Sequence, residues 1–213
     1  MVAIAVLMIL IGLLLPPLAV TRVEARRTAA ASQLRQCTAL VSLYCDDHRE
    51  AFPIGHERAF WAGWRWTIPI LAGGYAASQF DLDGAPARDD GEPRFAISRA
   101  MVCSPEIMIP GQTVDINLAP SSVIRRSAMA HPSAKGVMWQ WWIDYGRVQG
   151  FWCCQPSRLV GPVSMGDGSL IVDDWTRFHP SGAPLTIEND FGWPVNATWL
   201  GIRGRDLGAA AFP

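Results

Sequence analysis

Charge is what this 213-residue chain has least of. Asp, Glu, Lys and Arg make up 17% of it, against about 25% in an ordinary globular chain. The few charges also cancel, with 18 Lys and Arg facing 19 Asp and Glu for a net of −1. That balance excludes a basic nucleic-acid binder, which needs a positive surplus. Apolar residues reach 50% and the mean hydropathy is +0.15, too apolar for a disordered chain. The signatures of enzyme chemistry are missing as well. There is no Gly-x-Ser-x-Gly nucleophile turn, no phosphate-cradling glycine loop, and no Cys-x-x-Cys or His-x-x-x-His metal spacing. Asp144, Asp173, Asp174, Glu188 and His179 supply acids and a base, but no motif organises them.

The apolar excess is concentrated at one end. Met1 to Val20 carries no charge, and 17 of its 20 residues are Ala, Val, Ile, Leu or Met. Without that segment the remainder is roughly 46% hydrophobic, an ordinary value. Eighteen or more uncharged apolar residues suffice to cross a hydrocarbon core of about 30 Å. A cleaved signal peptide would have a shorter apolar region and a basic start, and a fully apolar buried helix would need a larger protein around it. The segment therefore reads as a single membrane anchor, with Val2, Ile4, Leu7, Ile11, Gly12, Leu15, Pro16, Pro17 and Val20 marking its course. Proline removes a helix hydrogen bond and kinks the axis, and in lipid the freed carbonyls need other partners. The Pro16-Pro17 pair thus suggests an anchor that packs against other protein.

From 21 to 50 the chain reads as an amphipathic helix continuing out of the anchor. Val23, Ala30, Leu34, Cys37, Val41 and Tyr44 recur at helical spacings and share one face, while Arg22, Arg26, Arg27 and Arg35 fall largely elsewhere. Leu34, Cys37, Val41 and Tyr44 are the expected contacts between helix and head. The helix should stop near Asp46-Asp47-His48, because Pro53 disfavours helix before it and acids sit badly at a C-terminus.

Residues 51–213 have another texture, holding 14 of the 16 prolines and all 10 tryptophans. Short apolar runs bounded by Gly, Pro and Asp read as strands: Trp64 to Leu71, Val137 to Ile143, Pro162 to Met165 and Leu170 to Trp175. The clearest hairpin turns at Asp167-Gly168, residues that accept positive φ, with Val163 and Met165 facing Leu170 and Val172. The expected fold is α+β, a long N-terminal helix packed on an antiparallel β-sheet head.

Five cysteines are an odd number. Cys37 and Cys45 lie about 12 Å apart along one helix, out of disulfide reach. Cys103 is available to pair with Cys153 or Cys154 if the head is extracytoplasmic. A zinc site from Cys103, Cys153, Cys154 and His131 or His179 would be sharper, yet lacks the spacing. The tryptophans at 61, 64, 66, 139, 141 and 142 could stack on a polysaccharide or a partner. Alternation would put Trp64 with Trp66, and Trp139 with Trp141, on one strand face each, and packing onto the long helix is the simpler use of most of them.

The first 53 residues carry a resemblance. Ile9 to Leu18, Val23 to Arg27, Leu34 to Gln36 and Tyr44 to Pro53 resemble, in order, the ILIGLLLPAL, REAARR, LRQ and YADDH…FP elements of bacterial type IV prepilin-like proteins, including the pseudopilins of type II secretion. WRWTIPIL, MVCSPE, HPSAK (His131 to Lys135) and MGDGSLIV (Met165 to Val172) are similar to weaker elements of the β-rich heads in that group. Members begin with a basic leader ending in Gly, cleaved before a segment containing Glu and then methylated. This sequence begins inside the apolar core, so either such a leader lies upstream of Met1 or the chain is no longer processed. The resemblance implies a pilin-like subunit of the bacterial inner membrane, single-pass with its head extracytoplasmic, that assembles through its N-terminal helix with other such subunits into a periplasmic or surface filament. The arginines after Val20 would favour the opposite orientation, a conflict that a basic leader would remove. Two further expectations go with this reading. No cofactor, metal, nucleic acid or catalytic residue is called for, and a monomeric anchored surface protein whose Trp-rich head binds a polysaccharide or a protein partner is the alternative.

Overall fold

A computed structural model describes residues 2–83, 93–109, 119–143, 145, 150–151, 160–174, 177–178, 195 and 200–208; within the first helix it describes side chains at Ile4 and from Pro17 onward. That helix, α1 (Val2–Asp47), has 46 residues and a length of about 69 Å at the usual rise. It runs unbroken through Pro16 and Pro17, and the Thr21 hydroxyl donates back to the Pro17 carbonyl at 2.9 Å. Its C-terminal half carries a buried stripe, Ala30, Leu34, Cys37, Val41 and Cys45, all at 0–1% exposure. Spacings of three and four place these on one side of a 3.6-residue helix. Ile4, Leu18 and Val20 are exposed, so the head covers the helix from about Val23 onward.

The helix ends where its sequence indicates. The Glu50 amide donates to Cys45 O at 2.7 Å, closing the last turn, while Arg49 and Glu50 take φ of 55° and 65°. Left-handed backbone at this position normally selects glycine; here two long charged residues occupy it. Asp46 pairs with Arg126, and the Tyr75 hydroxyl donates to Asp47 at 2.8 Å. A bridge between Ala51 and Arg125, with the Phe52 amide on Ile124 O, pins the departing chain.

The first turn of the head differs from the strand expected at Trp64 to Leu71. Residues 64–66 form a turn and 67–71 belong to a short helix, α3 (Thr67–Ala72), preceded by α2 (Ala59–Ala62) and followed by α4 (Gln79–Asp83). Short apolar runs do not separate buried helix from strand, and here tertiary contact decides. Trp66 is fully buried and donates through Nε1 to Phe95 O at 2.9 Å, a geometry that fills the space above the sheet.

The sheet has four antiparallel strands in the order β1 (Phe95–Ile97), β2 (Gly136–Gln140), β5 (Val160–Met165), β6 (Leu170–Asp174); β3 (Trp142–Ile143) and β4 (Gly150–Phe151) form a separate two-stranded ribbon. The long helix packed on this antiparallel sheet makes the fold α+β. The β5–β6 hairpin turns at Asp167-Gly168: the Asp167 carboxylate accepts the Ser169 amide at 2.9 Å, and Gly168 takes φ of 82°. Its register pairs Val163 with Ile171, and Pro162 and Ser164 with Val172 and Leu170. Opposed residues share a face, so Val163 and Met165 share theirs with Ile171. The facing expected with Leu170 and Val172 is off by one residue.

Both faces of the sheet are covered. Phe95, Ile97 and Met138 join one cluster with Leu34, Cys37 and Val41 of the helix. Ala96, Trp139 and Val163 join a second with Trp64, Trp141, Phe178 and Val195, which meets the helix at Ala30 and Val23. The tryptophans accordingly part company. Trp66 lies in the helix-side cluster, whereas Trp64, Trp139 and Trp141 belong to the second; the pairing of Trp64 with Trp66 on one strand face fails because no strand is there. Fully burying one large apolar side chain contributes about 1.5–3 kcal/mol, which makes these clusters the main source of stability.

The strands run alongside the helix. Thr38 donates to the Met138 sulfur at 3.7 Å. Toward the helix C-terminus, Val41 and Cys45 border a small internal hollow with Val137, Met165 and Gly168 of the hairpin end. Toward the N-terminus, β2 descends through Gln140 to Trp141 and Trp142.

Candidate functional site

Burial sorts the tryptophans. Trp66 and Trp139 are fully buried, Trp141 and Trp64 nearly so, Trp142 is half-buried, and Trp61 is 37% exposed. Four of them form a chain of ring contacts: Trp61 to Trp64 at 5.6 Å, Trp64 to Trp141 at 4.6 Å, Trp141 to Trp139 at 5.4 Å. Tilted and edge-on contacts at these distances suit aromatic quadrupoles. The chain is a packing device with an open end, since only Trp61 offers a substantial ring face to solvent.

A second aromatic group sits at the opposite end of the helix. Tyr44 and His48 stack at 3.9 Å, Tyr75 meets Tyr44 edge-on at 5.6 Å, and the Asp47 carboxylate accepts a hydrogen bond from the Tyr75 hydroxyl. Partial desolvation and the Asp47 carboxylate push the Tyr75 hydroxyl up to about 12, so it stays protonated as a donor. This group borders an open hollow of about 410 Å³ that includes Arg49 and Val123. Val123, 69% exposed, also borders a neighbouring hollow of about 460 Å³ with Arg125 and Arg203.

The most heavily buried charges lie elsewhere. Lys135 is the only lysine in the chain, and it is buried together with Asp206, 71 residues away, at Nζ–O distances of 3.2 and 3.3 Å. Asp206 also accepts the Gly136 amide at 2.8 Å, and its own amide donates to Ala134 O at 2.7 Å. Burial lowers the Lys135 pKa and the Asp206 charge opposes that shift. The arrangement ties the segment at 200–208 to the start of β2. Nothing in local sequence marks it, because a contact across 71 residues has no periodic signature.

The residues singled out from sequence are dispersed. Leu34, Cys37 and Val41 are buried and Tyr44 half-buried in the helix–head contact; the Cys37 thiol donates to Leu82 O at 2.8 Å. Cys103 is a buried free thiol, pushed up to about 11 by burial; Cys45 is pushed up to about 11 by the same cause. Cys153 and Cys154, their proposed partners for Cys103, lie outside the described residues. So do His179 and Glu188, and Asp144. Asp173 is engaged with Arg177 at 2.6 Å, and the Asp174 amide is bonded to it at 2.9 Å. Among the described residues no group of three His, Cys, Asp or Glu side chains could hold a metal.

Among the described residues, no helix is long and apolar enough to cross a membrane. The anchor expected from sequence falls mainly on Val2, Leu7, Ile11, Gly12, Leu15 and Pro16, whose side chains lie outside that description; Ile4, Pro17 and Val20 are exposed.

No protein-family model matches this chain, and comparison with curated proteins and with solved structures returns no match either.

Proposed function

We propose that this protein is a non-enzymatic, membrane-anchored, pilin-like subunit that assembles with other such subunits through its N-terminal helix. One observation carries the reading: α1 is a single rod whose C-terminal half is built into the head, while its first twenty residues are apolar in sequence and project from it. The projecting part, about 30 Å long, matches a bilayer core. Ile4, Leu18 and Val20 are exposed, at 66%, 51% and 64%, and a lipid or helix neighbour would remove that apolar surface from water. The order of sequence elements resembling the prepilin-like group supports the same reading, with the head outside the inner membrane and the assembly a periplasmic or surface filament.

The test is site-directed crosslinking of the full chain in membranes, with Leu18→Cys as the reporter. Assembly through the helix predicts Leu18-dependent dimers and higher species. A chain that floats with membranes yet stays monomeric when its secretion partners are present rules out assembly. A second reading, a monomeric anchored protein that binds polysaccharide, is favoured by the exposed ring of Trp61. Glycan binding lost in Trp61→Ala, with no helix crosslink, would select it.

A further inference from the structure

Two open hollows meet beside the C-terminal end of α1. The first, of about 410 Å³, opens beside Tyr44, His48 and Arg49; the second, of about 460 Å³, opens beside Arg125 and Arg203. Val123 lines both and leaves 69% of its surface to solvent. Aliphatic surface continues into each, with Ile54 in the first and Pro105 and Ile202 in the second. Backbone bonds hold the walls in place. The Phe52 amide donates to Ile124 O at 3.1 Å, the Arg126 amide to Glu50 O at 2.8 Å, and the Ser122 amide to Val102 O at 2.8 Å. Val123 itself lies between two single bridges, Arg58 with Pro120 and Ala51 with Arg125. Among the described residues no hydrogen bond engages its amide or carbonyl.

The charge of this surface is one-sided. Its described lining residues include three arginines, Arg49, Arg125 and Arg203, against one carboxylate, Asp47. That carboxylate already accepts the Tyr75 hydroxyl. All three arginines are exposed, and among the described residues Arg49 and Arg125 enter no ion pair or side-chain hydrogen bond. Arg203 feels the charge of Glu106, whose carboxylate accepts the Ser104 hydroxyl. Arg126, by contrast, is held by Asp46. Arg49 also sits at φ of 55°, where glycine is the usual residue, and backbone strain retained under a charged side chain points to a use for that side chain.

We propose that the two hollows form one docking groove for an acidic peptide segment of a partner protein, an extended stretch that sets aliphatic side chains beside Val123 and carboxylates against Arg49, Arg125 and Arg203. The guanidinium fork matches a carboxylate with two parallel hydrogen bonds. The aliphatic lining takes the apolar side chains out of water, and the open Val123 backbone is available to pair with an extended chain as an added strand does. A polysaccharide would want free aromatic faces, whereas Tyr44 and His48 are stacked on each other at 3.9 Å with Tyr75 edge-on to Tyr44. Nothing in this contact depends on what the projecting half of α1 meets.

The experiment selects a phage-displayed library of random dodecapeptides on the full chain in detergent micelles, after subtraction on the Arg49→Gly/Arg125→Gln/Arg203→Gln variant. Selected peptides are then labelled with fluorescein and titrated by anisotropy. The expected result is enrichment of Asp and Glu beside Leu, Ile or Val. Each single arginine substitution should weaken binding about two- to fivefold, and about 0.5 M salt should weaken it further. Val123→Ser, a change at an exposed side chain, should weaken it about tenfold, since docking removes two methyl groups from water. Arg49→Gly separates binding from folding, because glycine accepts the left-handed backbone while the guanidinium is lost: affinity falls and the unfolding midpoint does not. A library that yields no acidic peptides, or acidic peptides that bind the triple variant equally well, overturns the proposal. Heparin that binds in their place, weakened by the arginine substitutions and indifferent to Val123→Ser, would assign the surface to a polyanion instead.

Discussion

Replacing Asp206 with Asn removes the carboxylate that pairs with Lys135 while keeping an amide oxygen for the Gly136 N–H. The two charges approach to 3.2 Å with both side chains buried, and at an effective dielectric of about 20 their attraction is ~5 kcal/mol. Removing one partner of a buried pair typically costs about 3–5 kcal/mol, because the other charge stays buried and uncompensated. That is a large fraction of the about 5–15 kcal/mol that keeps a domain folded. The loss should also depend on pH. Burial already lowers the Lys135 pKa, with Asp206 pulling the other way, so the variant lowers it further. Unfolded lysine holds its proton up to about pH 10.4. Between the folded and unfolded values the unfolded chain binds more protons, and stability rises with pH across that window. Asp206→Asn should therefore be weakest at and below neutral pH and recover on the approach to the lysine range, from a lower starting pH than the wild type. Lys135→Met/Asp206→Asn buries no charge and should be more stable at pH 7 than Asp206→Asn alone. Urea unfolding followed by tryptophan emission measures these differences. Amine labelling read by peptide mass spectrometry checks them independently, since Lys135 reacts only when its site opens. An Asp206→Asn deficit below about 1 kcal/mol, or one that ignores pH, would refute the account, since both contradict the cost of an uncompensated buried charge.

Three further outcomes follow from local geometry. Arg49→Gly should raise the unfolding midpoint slightly, because relief of left-handed backbone at φ 55°, about 1–2 kcal/mol, exceeds the added chain entropy of glycine, about 0.5–1 kcal/mol; Arg49→Val should lower it. Gly55→Ala should cost several times more than Gly168→Ala in the same urea assay, because a Cβ at Gly55 would sit 1.7 Å from Arg65 O whereas Gly168 has open space and only its φ of 82° to resist. Native alkylation of Cys45 and Cys103 at pH 8 should be slow and should accelerate on unfolding, since both thiols are pushed up to about 11 by burial and stay protonated; rapid native labelling of either would contradict that burial.

How much of this was legible in the chain varies with the range of the interaction. The helix through Asp47, its buried stripe at Leu34, Cys37 and Val41, and the Asp167-Gly168 hairpin all follow from periodicity and turn chemistry within a few residues of sequence. Trp64 to Leu71 was not legible as helix, because its six apolar and aromatic residues, broken by Arg65 and Thr67, satisfy either period until the Phe95 carbonyl claims the Trp66 ring. The hairpin register slipped by one for a related reason. Turn residues show that two strands meet, but not the loop length: the Met165 amide donates to Ser169 O at 2.9 Å, one residue tighter than expected, so Ser164 opposes Leu170. The Lys135–Asp206 pair and the Tyr44–His48–Tyr75 group were beyond reach, since each joins segments that only the fold brings together. Both depend on burial and distance, which composition does not encode.

The side-by-side run of α1 and the sheet decides how the molecule bears tension. A pull between the projecting end of the rod and the head acts along the strands, because β2 and β5 run beside the helix. The hydrogen bonds joining β1, β2, β5 and β6 lie across that direction, so they are strained together in shear and no end bond opens first. The helix meets the same pull through a broad contact from Ala30 to Cys45 that must slide as a unit. A head mounted this way should resist extraction from its rod far better than it resists being peeled sideways from β6, the last strand in the sheet order.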